Sequence, residues 1–95
     1  DRMNATFGKD PDAILDYRVD WSAWLAAMGD SDTIEESEWI VPEGLTVDSD
    51  TIGGGITTVW LSGGTTGSTY PITNRITTDG GRTDDRSILI RIEEN

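Results

Sequence analysis

The chain has 95 residues, 35% of them hydrophobic, so we expect one domain with a two-layer core. Its 18 acidic and 7 basic residues give a formal net charge of −11. The absence of cysteine and histidine excludes disulfides, zinc–thiolate sites, thiol nucleophiles and histidine-based metal or catalytic centres. A negative field repels phosphate backbones and anionic lipids, so neither nucleic acid nor a membrane is an expected partner.

The N-terminal residues 1–13 predict an extended arm. Gly8, Pro11 and several aspartates stand among scattered apolar positions, and Phe7 is the side chain best suited to anchor the arm. Such arms are either frayed termini or segments that become ordered on a neighbouring subunit. Residues 1–4 lack the apolar stretch of a signal peptide, and no apolar run approaches the roughly 18 residues of a membrane span. We therefore expect a soluble protein, with the arm over residues 1–13 and a sandwich domain over residues 14–95.

Residues 14–28 carry two overlapping periods, one typical of a strand and the other typical of a helix. The alternating positions are Leu15, Tyr17, Val19 and Trp21, and the helically spaced positions are Trp21, Trp24, Leu25 and Met28. We predict a strand that ends at about Trp21. A bend or short helical turn over residues 22–28 then returns Trp24 and Leu25 to the core.

Three further strands are predicted in the middle of the chain, over residues 33–41, 45–47 and 56–61. A loop over residues 29–32 precedes the first of them. The second is expected to break over residues 48–55, where three consecutive glycines disfavour regular packing. In the third, Trp60 points away from the side that carries Val59 and Leu61.

The last third of the chain predicts one long β-hairpin with its turn at residues 79–81. This turn sets a register in which apolar residues face each other and opposite charges face each other. The predicted pairs are Thr78 with Arg82, Ile72 with Ile88, Tyr70 with Ile90, and Arg75 with Asp85. A bulge within residues 83–85 would break the register. Asn74 lies on the inward face, so we expect a buried amide with hydrogen-bond partners.

Short strands at this spacing, separated by glycine, proline and aspartate clusters, predict an all-β fold. We expect an immunoglobulin-like or fibronectin-III-like β-sandwich of six to seven strands with an extended N-terminal arm. Tyr70 stands near the start of a late strand, where sandwiches of this type often use a tyrosine to tie a loop to the backbone.

The acidic residues and the tryptophans each suggest a ligand site with a simpler structural explanation. Carboxylates at positions 48, 50, 79, 84 and 85 lie in predicted loops and would suit calcium, but they lack EF-hand spacing, and solvated loop carboxylates are commoner. The tryptophans would suit a sugar-stacking platform, but their aliphatic neighbours favour the core, with Trp60 as the exception. A glycosidase needs a carboxylate pair across a cleft, for which so small a domain has little room. We therefore expect no enzyme, no cofactor and no bound metal.

A series of short blocks along the chain carries a family resemblance. The blocks are Asp10-Pro11-Asp12, Asp16-Tyr17, Asp20-Trp21-Ser22-Ala23-Trp24-Leu25, residues 39–42, Gly44-Leu45-Thr46-Val47, Val59-Trp60-Leu61-Ser62-Gly63-Gly64 and Thr73-Asn74-Arg75-Ile76-Thr77-Thr78. The series resembles small virion proteins of tailed bacteriophages that are described as fibre-to-tail adaptors. The resemblance extends from residue 7 to about residue 94, and the chain departs from the pattern at residues 26–28 and 53–55.

This resemblance implies a non-enzymatic structural subunit with an immunoglobulin-like sandwich, present in multiple copies in the virion. Its expected partners are other phage virion proteins of the tail or head, and a tail adaptor is the leading interpretation. The alternatives are a capsid decoration or cement protein of the same fold, and a carbohydrate- or calcium-binding module. The residues that we expect at a partner interface are Phe7, Trp24, Trp60, Arg75, Asp85, Leu89 and Arg91.

Overall fold

The computed structural model describes residues 4–27 and 32–93, which form seven β-strands and one short helix. In chain order these are β1 (Asn4–Lys9), β2 (Leu15–Asp20), α1 (Ser22–Ala27), β3 (Ile34–Ile40), β4 (Leu45–Gly53), β5 (Ile56–Gly63), β6 (Thr69–Thr78) and β7 (Thr83–Ile92). Residues 1–3 of the predicted arm, Met28 of the predicted helical turn, and residues 29–31 of the predicted loop lie outside the described residues. Within the described part of the chain, no helix is long and apolar enough to cross a bilayer.

The strands form two sheets that pack face to face. The first sheet has the strand order β1-β7-β6-β3, and the second has the order β2-β5-β4. All neighbouring strands are antiparallel except β1, which pairs in parallel with β7. The predicted all-β sandwich of six to seven strands is therefore confirmed.

The core lies between the sheets and consists mainly of side chains from alternate strand positions, as expected for strands with one buried face; Trp21, just after β2, and Leu25 of α1 complete it. Its buried apolar members are Tyr17, Val19, Trp21, Leu25, Leu45, Val59, Leu61, Ile72, Ile76, Ile88, Ile90 and Ile92. Five of them come from the closing hairpin, which therefore supplies much of the first sheet's inner face. At about 25 cal/mol per Å² of apolar surface, this burial is the main stabilising term of the fold.

A buried polar cluster around Asn74 joins the two sheets. The Asn74 Oδ1 accepts hydrogen bonds from Trp21 Nε1 at 2.9 Å and from Thr57 Oγ1 at 2.6 Å. Its Nδ2 donates to Ser37 Oγ at 2.9 Å and to the Glu38 carbonyl oxygen at 3.2 Å. The amide thus uses both acceptor positions and both donor hydrogens. The prediction of a buried amide with hydrogen-bond partners at this position is confirmed.

The closing hairpin has the predicted register. Ile72 pairs with Ile88, Tyr70 pairs with Ile90, and Arg75 pairs with Asp85, without a shift anywhere between residues 69 and 77. In the turn, the Thr78 N–H donates to the Arg82 carbonyl oxygen at 2.8 Å, as the predicted Thr78–Arg82 pairing requires. The Tyr70 hydroxyl accepts from the Thr65 N–H at 3.0 Å, so it ties the preceding loop to the hairpin as predicted. Its hydrogen bonds with Thr65 lower the pKa of Tyr70.

The predicted arm differs from the structure over Asn4–Lys9, which form a strand of the first sheet and not a segment outside the sandwich. Two side chains fasten this strand. Phe7 packs against Tyr17, with 5.6 Å between ring centroids, and the buried Lys9 donates from Nζ to the Gly63 carbonyl oxygen at 2.8 Å. Burial lowers the pKa of Lys9, against the opposite influence of nearby aspartates. The apolar and buried contacts outweigh the weak strand propensity of the segment.

The predicted break over residues 48–55 is also wrong, because β4 continues to Gly53 and β5 begins at Ile56. Gly54 and Gly55, with φ of 60° and 82°, form the two-residue turn of a second long hairpin. Positive φ at both central positions is the requirement of a type I′ turn, which glycine meets without strain. The glycines therefore connect the two strands and do not end them.

Candidate protein-interaction surfaces

The outer face of the second sheet presents the indole of Trp60. Strand alternation buries Val59 and Leu61 and turns Trp60 outward, where 40% of its surface is exposed. The indole lies opposite Asp16 on β2 and Ser49 on β4. The outward direction agrees with the prediction, and because β5 is the central strand of this sheet, Trp60 stands in the middle of the face and not at its edge.

Charged side chains flank Trp60 on both neighbouring strands. On β2, the exposed Asp16 and Arg18 have 3.8 Å between carboxylate and guanidinium. On β4, the exposed Asp48 lies at a register shift and accepts from Ser62 Oγ at 3.1 Å. We call Trp60 together with Asp16, Arg18 and Asp48 the Trp60 face. It has two negative charges and one positive charge around an exposed aromatic ring.

The outer face of the closing hairpin carries an ion pair between Arg75 and Asp85. The Nε–Oδ1 distance is 2.8 Å and the Nη2–Oδ2 distance is 3.0 Å, and this bidentate contact with Asp85 raises the pKa of Arg75. Further along β7, Leu89 is half-buried, and the exposed Arg91 pairs with Glu93 at 3.1 Å. We call Arg75, Asp85, Leu89 and Arg91 the hairpin face. The side chains of Arg75 and Asp85 are 46% and 38% exposed, so a partner can reach these charges.

The other two predicted interface residues, Phe7 and Trp24, pack against aromatic side chains of their own chain. Phe7 is 39% exposed and lies on Tyr17. Trp24 is half-buried and meets Trp21 edge-on, with 5.4 Å between centroids and 73° between planes. The structure therefore groups four candidates on the hairpin face, places Trp60 on the opposite sheet, and gives Phe7 and Trp24 roles within the fold.

The positions that suggested calcium do not lie together in loops, which corrects the sequence-based expectation. Asp48 and Asp50 belong to β4, and Asp84 and Asp85 belong to β7. Among residues 4–27 and 32–93, no group of three or more histidine, cysteine, aspartate or glutamate side chains is arranged to hold a metal ion. The strands β4 and β7 thus extend through four of the five positions that the sequence assigned to loops, and Asp79 lies in the turn between β6 and β7.

A groove at one end of the sandwich is not evident from the sequence. It has a volume of about 340 Å³ and is lined by Ser22, Leu25, Asp32, Thr33, Ile34, Ile52, Gly54 and Gly55. Asp32, with its side chain only 5% exposed, accepts from Arg82 Nη1 at 2.8 Å and from the Gly80 N–H at 3.0 Å. Burial raises the pKa of Asp32, but hydrogen bonds outweigh this effect and hold the pKa below its ordinary value. Arg82 lies 50 residues further along the chain, so local sequence patterns gave no indication of this contact.

The two-sheet sandwich, with its first strand parallel to its last, defines an immunoglobulin-like module. A structure of this class, titled "Solution structure of the PKD domain from KIAA 1837 protein", is similar to the chain with a TM-score of 0.54 and 17% sequence identity. The similarity covers 97% of this chain and 81% of that one. It shows the fold and confirms the predicted immunoglobulin-like sandwich. No curated protein matches the chain.

The model of a protein family described as "Podophage GP4 fiber-tail adaptor protein gp77" matches residues 9–91 of the chain. Because the match covers most of the chain, the chain belongs to this family of phage tail fibre adaptor proteins. The resemblance seen in the sequence is confirmed. Membership implies a virion component that interacts with other phage tail proteins.

Proposed function

We propose that the chain is a non-enzymatic structural subunit of the phage tail that joins tail proteins to fibres through protein–protein contacts. The family match over residues 9–91 is the observation that carries the proposal. The subunit is present in several copies, as expected in a symmetric assembly.

Two outward-facing surfaces support this role. The Trp60 face belongs to the second sheet and the hairpin face belongs to the first, so they lie on opposite sides of the sandwich. An adaptor has to hold two partners at once, and opposite faces allow this without competition between them. The net charge of −11 favours protein partners over nucleic acid or anionic lipid.

The experiment is to locate and count the protein in purified virions of the phage that encodes it. Immunogold labelling should mark the tail, and quantitative mass spectrometry should give a copy number that fits the tail's rotational symmetry, far below that of the major capsid subunit. Labelling over the head with a copy number close to that of the capsid subunit would instead identify a decoration protein. Virions that lack the chain should also lose their fibres.

The rival interpretation as a calcium-binding module has a simple control. A ligand at 100 times its dissociation constant stabilises a protein by about 2.7 kcal/mol. Thermal unfolding of the purified protein with calcium and with EDTA should give the same midpoint. A midpoint that calcium raises would favour the binding module over the adaptor.

A further inference from the structure

The Trp60 face combines an accessible aromatic ring with an excess of negative charge. The indole is 40% exposed and is held in the central strand of its sheet. A large side chain with few rotatable bonds, fixed on a strand, is the type of residue that dominates the affinity of protein interfaces. A partner for this surface therefore has to cover the ring and complement the charges beside it.

We propose that the Trp60 face docks a basic protein surface of a neighbouring virion subunit, with an arginine or lysine side chain over the indole and between the carboxylates of Asp16 and Asp48. This inference rests on the proposed function and adds the chemistry of the partner. Asp16 lies directly across from Trp60 on β2, and Asp48 lies on β4 beside the residue that faces Trp60. A cation held there meets the ring face and two carboxylates at once.

The chain itself contains a contact of the proposed kind. The guanidinium of Arg86 lies over the ring of Trp21, 4.4 Å from its centroid, and donates to the carbonyl oxygen of Asp20 at 3.0 Å. A cation over an indole is attracted to the negative face of the ring, most strongly when the contact is shielded from water. The contact proposed at Trp60 has the same chemistry, with the cation supplied by another subunit.

Charge also distinguishes this partner from a second copy of the chain. A two-fold contact places the same patch of both copies face to face. For the Trp60 face, this brings together two patches that each carry two carboxylates, Asp16 and Asp48, with Arg18 as the single cation of each patch to offset them. Like charges across an interface oppose binding, whereas a basic partner is attracted to the face.

The test uses adaptor-deficient particles of the same phage and the purified, fluorescently labelled chain, with binding measured by co-sedimentation over a series of NaCl concentrations. Wild-type protein should bind most tightly at low salt. Trp60→Ala should weaken binding about tenfold or more, and Trp60→Leu should weaken it similarly because it lacks the ring. Trp60→Phe should retain most of the affinity. The double variant Asp16→Asn/Asp48→Asn should bind about fivefold more weakly at low salt, with a flatter salt dependence.

Matched controls lie outside both the Trp60 face and the hairpin face. Ile40→Ala removes apolar surface at a residue that is also 40% exposed, and Glu35→Gln/Glu43→Gln removes two exposed carboxylates; both should bind as the wild type does. Equal losses in the controls and in the Trp60-face variants would overturn the inference. The inference would also be overturned if binding depended on Trp60 but changed neither with the salt concentration nor with Asp16→Asn/Asp48→Asn. That result would indicate a neutral partner such as a glycan. If the wild type does not bind the particles at all, the proposed function itself fails.

Discussion

The cluster around Asn74 gives the strongest test of how this chain holds its two sheets together. Asn74→Ala removes the acceptor for the Trp21 indole N–H and for the Thr57 hydroxyl, both of which are fully buried. It also removes the donor for Ser37 and for the Glu38 carbonyl oxygen on the neighbouring strand. The variant therefore leaves polar groups from both sheets without their partner.

The expected loss in the free energy of unfolding follows from the number of buried polar groups that lose their hydrogen-bond partner. A buried donor that loses its acceptor costs about 1 to 3 kcal/mol. Two such donors, together with the small cavity left by the missing amide, give an expected loss of about 3 to 5 kcal/mol. Small domains have a free energy of unfolding of about 5 to 15 kcal/mol. Asn74→Ala should therefore remove a large part of the total stability while leaving the surface unchanged.

Urea unfolding, followed by tryptophan fluorescence and far-UV circular dichroism, measures this loss. Thr73→Ala is the control, since Thr73 is on the outer face of the same strand and bonds to Ser87 Oγ at 2.9 Å; it should cost under about 1 kcal/mol. In a double-mutant cycle, Asn74→Ala and Thr57→Val should be coupled by about 1 kcal/mol or more. A loss below about 1 kcal/mol for Asn74→Ala, or simple additivity in the cycle, would refute the assignment of the cluster as the polar link between the sheets.

Two further predictions concern a loop and a buried carboxylate. Gly64→Ala should lower the free energy of unfolding by about 2 to 4 kcal/mol, since φ is 105° and an added Cβ would lie 2.5 Å from Ile92 Cδ1. Gly67→Ala, with φ of 89° but open space around it, should cost only about 1 to 2 kcal/mol; equal losses in urea would show that crowding is not the cause. Asp32→Asn removes a carboxylate whose pKa is held below its ordinary value of about 3.9. The wild type should therefore have a higher melting temperature than this variant at neutral pH, and the difference between the two should disappear as the pH falls through the lowered pKa. A difference that stays constant down to pH of about 2 would contradict the role given to the carboxylate.

The closing hairpin was predictable because its information is local. A three-residue turn at 79–81 and regular alternation on both sides leave one register in which Ile72 meets Ile88 and Arg75 meets Asp85, and the structure has that register. The same alternation places Asn74 inward, and a buried amide requires partners whatever they are. Their identity, Trp21 and Thr57 among them, depends on the packing of the sheets and not on local sequence.

The predictions that were wrong have two different causes. β1 has few strand-forming residues, and its pairing with β7 depends on contacts such as Phe7 with Tyr17, which exist only once the sandwich has formed. Glycine-rich sequence around Gly54 and Gly55 has the composition of a loop, but the same residues suit a tight turn between two long strands. For the candidate surfaces, the alternation of side chains along β5 was enough to predict that Trp60 points outward. The contact of Asp32 with Arg82 connects segments far apart in sequence, so only the structure could show it.

The parallel pairing of β1 with β7 has a mechanical consequence. Asn4 is aligned with Ser87 and Lys9 with Ile92, so tension applied ahead of β1 and beyond β7 pulls the two strands in opposite directions along their length. All the hydrogen bonds between them then bear the load together, in shear, whereas an antiparallel hairpin pulled from its open end separates one bond at a time. In the proposed role between a fibre and the tail, a load that enters through β1 and β7 would meet this cooperative arrangement.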